Sequence, residues 1–111
     1  MSLDTTPSDS AHRPQPATAD EIRRRLEHER ATRLTQLRAL AEAGEEAEAE
    51  QLMSGQKETL ERVLKEIDAA FARVEAGGYG TCQGCDRSIP AERLEILPYA
   101  RYCVPCQRAT T

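Results

Sequence analysis

Cys82-Gln83-Gly84-Cys85 and Cys103-Val104-Pro105-Cys106 hold all four cysteines of this 111-residue chain, and their spacing decides how its C-terminal part folds. Each Cys-x-x-Cys pair is a knuckle that brings two thiolates to one cation, and the polar stretch between the pairs has the length of a four-cysteine ribbon or finger. Zinc accepts four such ligands tetrahedrally, which leaves no position for water or substrate. The site is therefore read as one structural Zn2+ held by Cys82, Cys85, Cys103 and Cys106. Two disulfides are the alternative reading, and another thiophilic metal is a third. Against disulfides stands the segment from Met1 to Asp20, polar and Pro-rich with no apolar stretch of an export signal, which points to a reducing compartment.

Working outward, the metal module is expected to span residues 78–111 and to begin at Tyr79-Gly80. Pro90, Pro98 and Pro105 forbid a long helix across it, while Ala91 to Leu97 suits one short helical turn or an extended rung. Ile89, Leu94, Ile96, Tyr99 and Tyr102 are its candidate core. So small a core leaves metal ligation to supply most of the stability, and the metal-free module is expected to be unstable.

Upstream, residues 18–77 read as a mainly α, antiparallel two-helix coiled-coil hairpin. Thr18-Ala19-Asp20-Glu21 has the pattern of a capping box, with Asp20 as a second possible cap, and starts the first helix. Ile22, Leu26, Leu34, Leu37 and Leu40 form its apolar stripe, interrupted by Arg30, and Gly44 is the natural stop. The second helix is expected from about Glu45 to Ala76, ending at Gly77-Gly78. Along it Ala49, Met53, Gln56, Leu60, Val63, Ile67, Ala70 and Val74 alternate spacings of four and three, the pattern of a coiled-coil seam, and Leu64 and Phe71 widen it toward the cysteines. The connection is too short for a parallel arrangement, so the helices fold back on each other with a tip near residues 39–48. Ala47, Ala49 and Gln56 offer little apolar surface there, and Ser54-Gly55 is an alternative turn or kink.

Residues 1–17 are rich in Ser, Thr, Pro and Asp without periodicity and are expected to be a disordered tail. His12 in that tail and His28 on a charged helix face read as solvated. Aromatic residues make up 4% of the chain and charged residues 31%, which disfavours a large globular core. The net charge of -4 argues against a duplex-DNA reader held by phosphate contacts. The charge is divided: Arg23, Arg24, Arg25, Arg30, Arg33 and Arg38 make the first helix slightly basic, whereas the second is strongly acidic, so the two faces are expected to pair. No apolar run reaches membrane-spanning length, and with the free thiols this gives a cytoplasmic expectation. No nucleophile-and-base set and no phosphate-binding glycine loop suggests an enzyme.

The run from Arg73 to Cys85, with Ile89-Pro90-Ala91-Glu92-Arg93-Leu94-Glu95 and Tyr102-Cys103-Val104-Pro105-Cys106-Gln107, strongly resembles the DksA/TraR C4-type zinc-finger family over about the last half of the chain. The resemblance implies a bacterial transcription regulator that binds RNA polymerase through its secondary channel, without sequence-specific DNA binding. It also implies an acidic hairpin tip, and Glu42, Glu45 and Glu46 are the candidate partner-binding residues. Active members carry Asp-x-x-Asp-x-Ala at the tip; this sequence reads Ala39-Leu40-Ala41-Glu42-Ala43-Gly44 there, with no aspartate pair, and Glu42, Glu45 and Glu46 substitute in charge but not in reach or geometry. Responsive members bind the alarmone ppGpp with a lysine that aligns with Glu66 and an arginine that aligns with Leu97, so ppGpp is not an expected partner here. Asp86 replaces the usual glycine after the second cysteine, a position where aspartate tolerates left-handed backbone. The alternative is a zinc-finger adaptor for another protein or a nucleic acid, in which Arg87, Arg93, Arg101 and Arg108 form a modest basic patch. For those arginines solubility is the simpler role.

Overall fold

The computed structural model describes residues 17–43 and 47–110, with the backbone alone for residues 47–53. Helix α1 spans Ala19–Ala43. Its start is a reciprocal capping box: the Thr18 hydroxyl accepts the Glu21 N–H at 3.1 Å, and the Glu21 carboxylate accepts the Thr18 N–H at 3.1 Å. The Thr18 N–H, and then its hydroxyl, hold the Glu21 carboxyl below the ordinary carboxylate range. Helix α2 spans Ala47–Ala76 and ends in a Schellman motif. There the Gly78 N–H donates to the Arg73 carbonyl at 2.9 Å and the Gly77 N–H to the Val74 carbonyl at 3.3 Å. Gly77 sits at φ 82, a left-handed position that a Cβ would strain.

The two helices run antiparallel, as the short connection between them implies. Arg23 pairs with Glu75 at 3.1 Å and Arg30 with Asp68 at 3.5 Å, so residue numbers climb along one helix as they fall along the other. These are the complementary charges expected from the division between the helices. Because the pairs are solvent-exposed, each contributes about 1 kcal/mol or less and serves register more than stability.

Packing is concentrated at one end. Leu26, Ile67 and Ala70 are fully buried, and Ile22, Val63, Phe71, Val74, Tyr79 and Tyr99 close around them. Farther from this base Leu60 is only half-buried and Gln56 is exposed. A groove of about 660 Å³ opens there between Gln36, Ala39 and Leu40 on α1 and Gly55, Gln56, Thr59 and Leu60 on α2. Among the described residues packing is thus already weak at Leu40, Gln56 and Leu60. Ser54-Gly55 does not break the chain direction: α2 passes through it. Gly44, Glu45 and Glu46 lie outside the described residues, as do the side chains of Ala49 and Met53 and residues 1–16 of the expected tail.

Two short helices complete the module, α3 over Ala91–Ile96 and α4 over Val104–Thr110. α3 fits the expected turn between Pro90 and Pro98; α4 was not foreseen. It is compatible with Pro105 because a proline in the first turn of a helix lacks only an N–H that has no intrahelical partner. One core expectation is corrected, since Ile96 is 78% exposed while Ile89 is buried. Ile96 occupies the last position of α3, where it borders an open depression beside Glu21, Arg25 and His28 of α1. Among the described residues no helix is long and apolar enough to cross a membrane.

Candidate metal centre

The first knuckle hangs on a narrow ribbon. Thr81 and Ser88 form an antiparallel bridge, the Cys82 N–H donates to the Arg87 carbonyl at 2.8 Å, and the Ile89 N–H donates to the Gly80 carbonyl at 2.8 Å. The turn closes where the Asp86 N–H reaches the Cys82 carbonyl at 2.9 Å. Asp86 adopts φ 63, the left-handed position at which aspartate stands in for glycine. The second knuckle opens α4: the Cys103 carbonyl accepts the Gln107 N–H at 2.9 Å, and the first turn of the helix brings Cys106 back toward Cys103.

The two knuckles bring the sulfurs of Cys82, Cys85, Cys103 and Cys106 within 4.8 Å of one another. The Cys85 and Cys103 sulfurs are 3.8 Å apart. Sulfurs about 2.3 Å from a shared zinc at the corners of a tetrahedron are separated by about 3.8 Å, so the spacing fits the metal. It does not fit a disulfide, whose sulfurs lie about 2.05 Å apart, and all four thiols are free.

The electrostatics point the same way. Burial raises the Cys82 thiol, but N–H groups of Cys103, Gly84 and Cys85 outweigh it and bring the group down to about 6. Two of those donors, on Gly84 and Cys103, stand 3.3 Å from its sulfur. Cys106 is pushed up to about 12, chiefly by the side chains of Cys103, Cys82 and Cys85. Four thiolates cannot share this volume without a cation, and the N–H donors around Cys82 are those a bound thiolate needs. Gly84 is part of the cradle. A Cβ there would lie 3.0 Å from the Cys106 sulfur and 3.1 Å from its Cβ.

The module is tied to the hairpin through the strap that leads into Cys103. The Tyr79 hydroxyl donates to the Pro98 carbonyl at 2.6 Å. Arg73 donates to the carbonyls of Tyr99 and Ala100 at 3.4 Å each. Arg101 sends Nε and Nη2 to one oxygen of Glu66, at 2.9 and 2.8 Å. Within the module the Arg93 Nε donates to the Tyr102 carbonyl at 2.9 Å, and the Gln83 N–H donates to the Arg101 carbonyl at 2.9 Å. Two of the four arginines of the expected basic patch, Arg93 and Arg101, are thus engaged inside the fold. Glu42 is exposed in the last turn of α1, far along the hairpin from the cysteines, and His28 is exposed as expected. The roles of Arg73 and Tyr79 had no local signal, because each joins residues about twenty or more positions apart.

An antiparallel helical hairpin standing on a four-cysteine module defines a hairpin zinc-finger protein. Residues 77–111 match the prokaryotic dksA/traR C4-type zinc finger. An uncharacterised protein of Aquifex aeolicus is 46% identical over 43 residues, covering 39% of this chain and 30% of the relative. General stress protein 16O of Bacillus subtilis is 41% identical over 51 residues, covering 46% of this chain and 31% of the relative. The chain therefore spans about a third of the length of these curated relatives. Among solved structures, transcription factor DksA2 of Pseudomonas aeruginosa is similar with a TM-score of 0.51 and 28% identity, covering 83% of this chain and 73% of that one.

Proposed function

We propose that this chain is a DksA/TraR-like transcription regulator that binds RNA polymerase through its secondary channel and does not read DNA sequence. The likeness to DksA2 across 83% of the chain, hairpin and module together, is the observation that carries the reading. In this reading residues 1–17 are a tail, 18–77 the hairpin that enters the partner, and 78–111 the module that anchors it. Cys82, Cys85, Cys103 and Cys106 hold one structural Zn2+, which leaves no open position for chemistry. Glu42, Glu45 and Glu46 carry the tip's negative charge. Glu42 supports this modestly: the last turn of α1 contains no basic residue, and a carboxylate there opposes the helix dipole, a placement that stability alone does not favour.

ppGpp has no place in the proposal. Glu66, aligned with the lysine of responsive relatives, is paired with Arg101, so the position offers an anion a carboxylate and an already engaged cation. A second reading, a zinc-finger adaptor for another protein or a nucleic acid, draws on the missing aspartate pair in Ala39-Leu40-Ala41-Glu42. The deciding experiment is capture of core RNA polymerase by the full chain, with a known secondary-channel factor as competitor. Competitive binding without promoter DNA is expected. Capture unaffected by the competitor, or tight sequence-specific DNA binding at physiological salt, would select the adaptor reading.

A further inference from the structure

We propose that the strap Pro98–Tyr102 is a mechanical link through which metal occupancy of the cysteine cluster sets the order of the hairpin base, with Arg73, Glu66 and Tyr79 as the residues that hold it. The inference rests on the metal-site reading and goes beyond it. The strap ends at Cys103, so the position of a metal ligand and the position of the strap are fixed together. Tyr79 and Arg73 seize its first three carbonyls from the end of α2, and Glu66 seizes the side chain of Arg101. Tyr99, the second residue of the strap, packs on the fully buried Leu26, Ile67 and Ala70. One short segment therefore touches the metal cluster at one end and the only fully buried part of the described hairpin along its length.

The same contacts operate in both directions. A metal that orders Cys103 holds the strap where Tyr99 closes the core, and a core that grips the strap presents Cys103 ready for the metal. By thermodynamic reciprocity, loosening the grip must weaken metal binding by the factor by which metal strengthens the grip. None of Glu66, Arg73 and Tyr79 is a metal ligand, so an effect on metal affinity would travel through the strap.

The test is hydrogen exchange on the full-length protein, zinc-loaded and after chelation under reducing conditions, with a competitive zinc titration of the wild type and of Arg73→Met, Glu66→Gln and Tyr79→Phe. Chelation is expected to speed exchange at least tenfold at amides 22–26 and 63–74 while leaving amides 32–40 unchanged. Arg73→Met and Glu66→Gln are expected to bind zinc about tenfold more weakly, and Tyr79→Phe about threefold. Base amides that exchange at the same rate in both states, or variants whose affinity stays within twofold of wild type, overturn the proposal. If Arg73→Met does not fold, the exchange data and the milder Tyr79→Phe decide. A wild type that takes up no zinc in the titration overturns the metal-site reading itself, and the coupling with it.

Discussion

Gly84 shows how one missing carbon shapes the metal site. Its conformation is open to any residue, but its space is not, because a Cβ would press on the Cys106 sulfur and Cβ at 3.0 and 3.1 Å. Gly84→Ala is expected to push the two knuckles apart and lower zinc affinity at least about tenfold, or about 1.4 kcal/mol, read by competition with a chromophoric chelator. An unchanged affinity would mean that the cluster is looser than its sulfur spacing implies. Glu21 gives a pH-dependent counterpart. Its folded pKa is depressed by its bonds to Thr18, so its contribution is present above the unfolded carboxylate pKa and is lost as pH falls through the lower, folded value. Helix unfolding followed between pH 6 and about 3 should therefore show a fall in stability that is flattened in Glu21→Gln; equal slopes would show that the capping box contributes nothing through charge.

At the scale of elements, two glycines on α2 and at its end invite opposite outcomes. Gly55 lies within the helix with nothing within 4 Å of a would-be Cβ, so Gly55→Ala is expected to raise stability by up to about 1 kcal/mol. Gly77 stands at φ 82, and Gly77→Ala is expected to lower stability by about 1 kcal/mol or more. Denaturant midpoints of the pair check both, and a shift of the same sign in each would refute the helical-interior and left-handed assignments. These elements were readable in the sequence because their causes are local. Thr18 with Glu21 caps one helix, Gly77-Gly78 stops the other, and the three-four spacing through Val63, Ile67 and Ala70 names the buried face. The four cysteines were legible for the same reason, since two-residue spacing within each pair is itself the knuckle. What escaped reading depends on distant or weak signals. Pro105 masks the helix that starts beside it, six residues of α3 are too few to tell which side Ile96 faces, and the bonds from Arg73 to Tyr99 and Ala100 follow no periodicity.

For the whole molecule, stability is shared unequally between a metal-dependent module and a hairpin with a small buried base. Removal of the metal is expected to unfold the module while most of the helical circular-dichroism signal survives, because α1 and α2 carry far more helical residues than α3 and α4. Protease mapping of the chelated protein should cut first between Tyr79 and Thr110; first cuts within α1 would show that the hairpin depends on the metal for its existence. The long dimension is 67 Å, and among the described residues the fully buried side chains all lie toward its cysteine-bearing end. Among the described residues the molecule is mechanically a cantilever, clamped at Leu26, Ile67 and Ala70 and more thinly braced at Leu40 and Leu60. The compliance of a clamped beam rises steeply with free length and the bending moment of an end load is greatest at the clamp, so the buried trio at the root is what resists bending of the arm. Along the described arm, bracing thus fades with distance from the end that holds the four sulfurs.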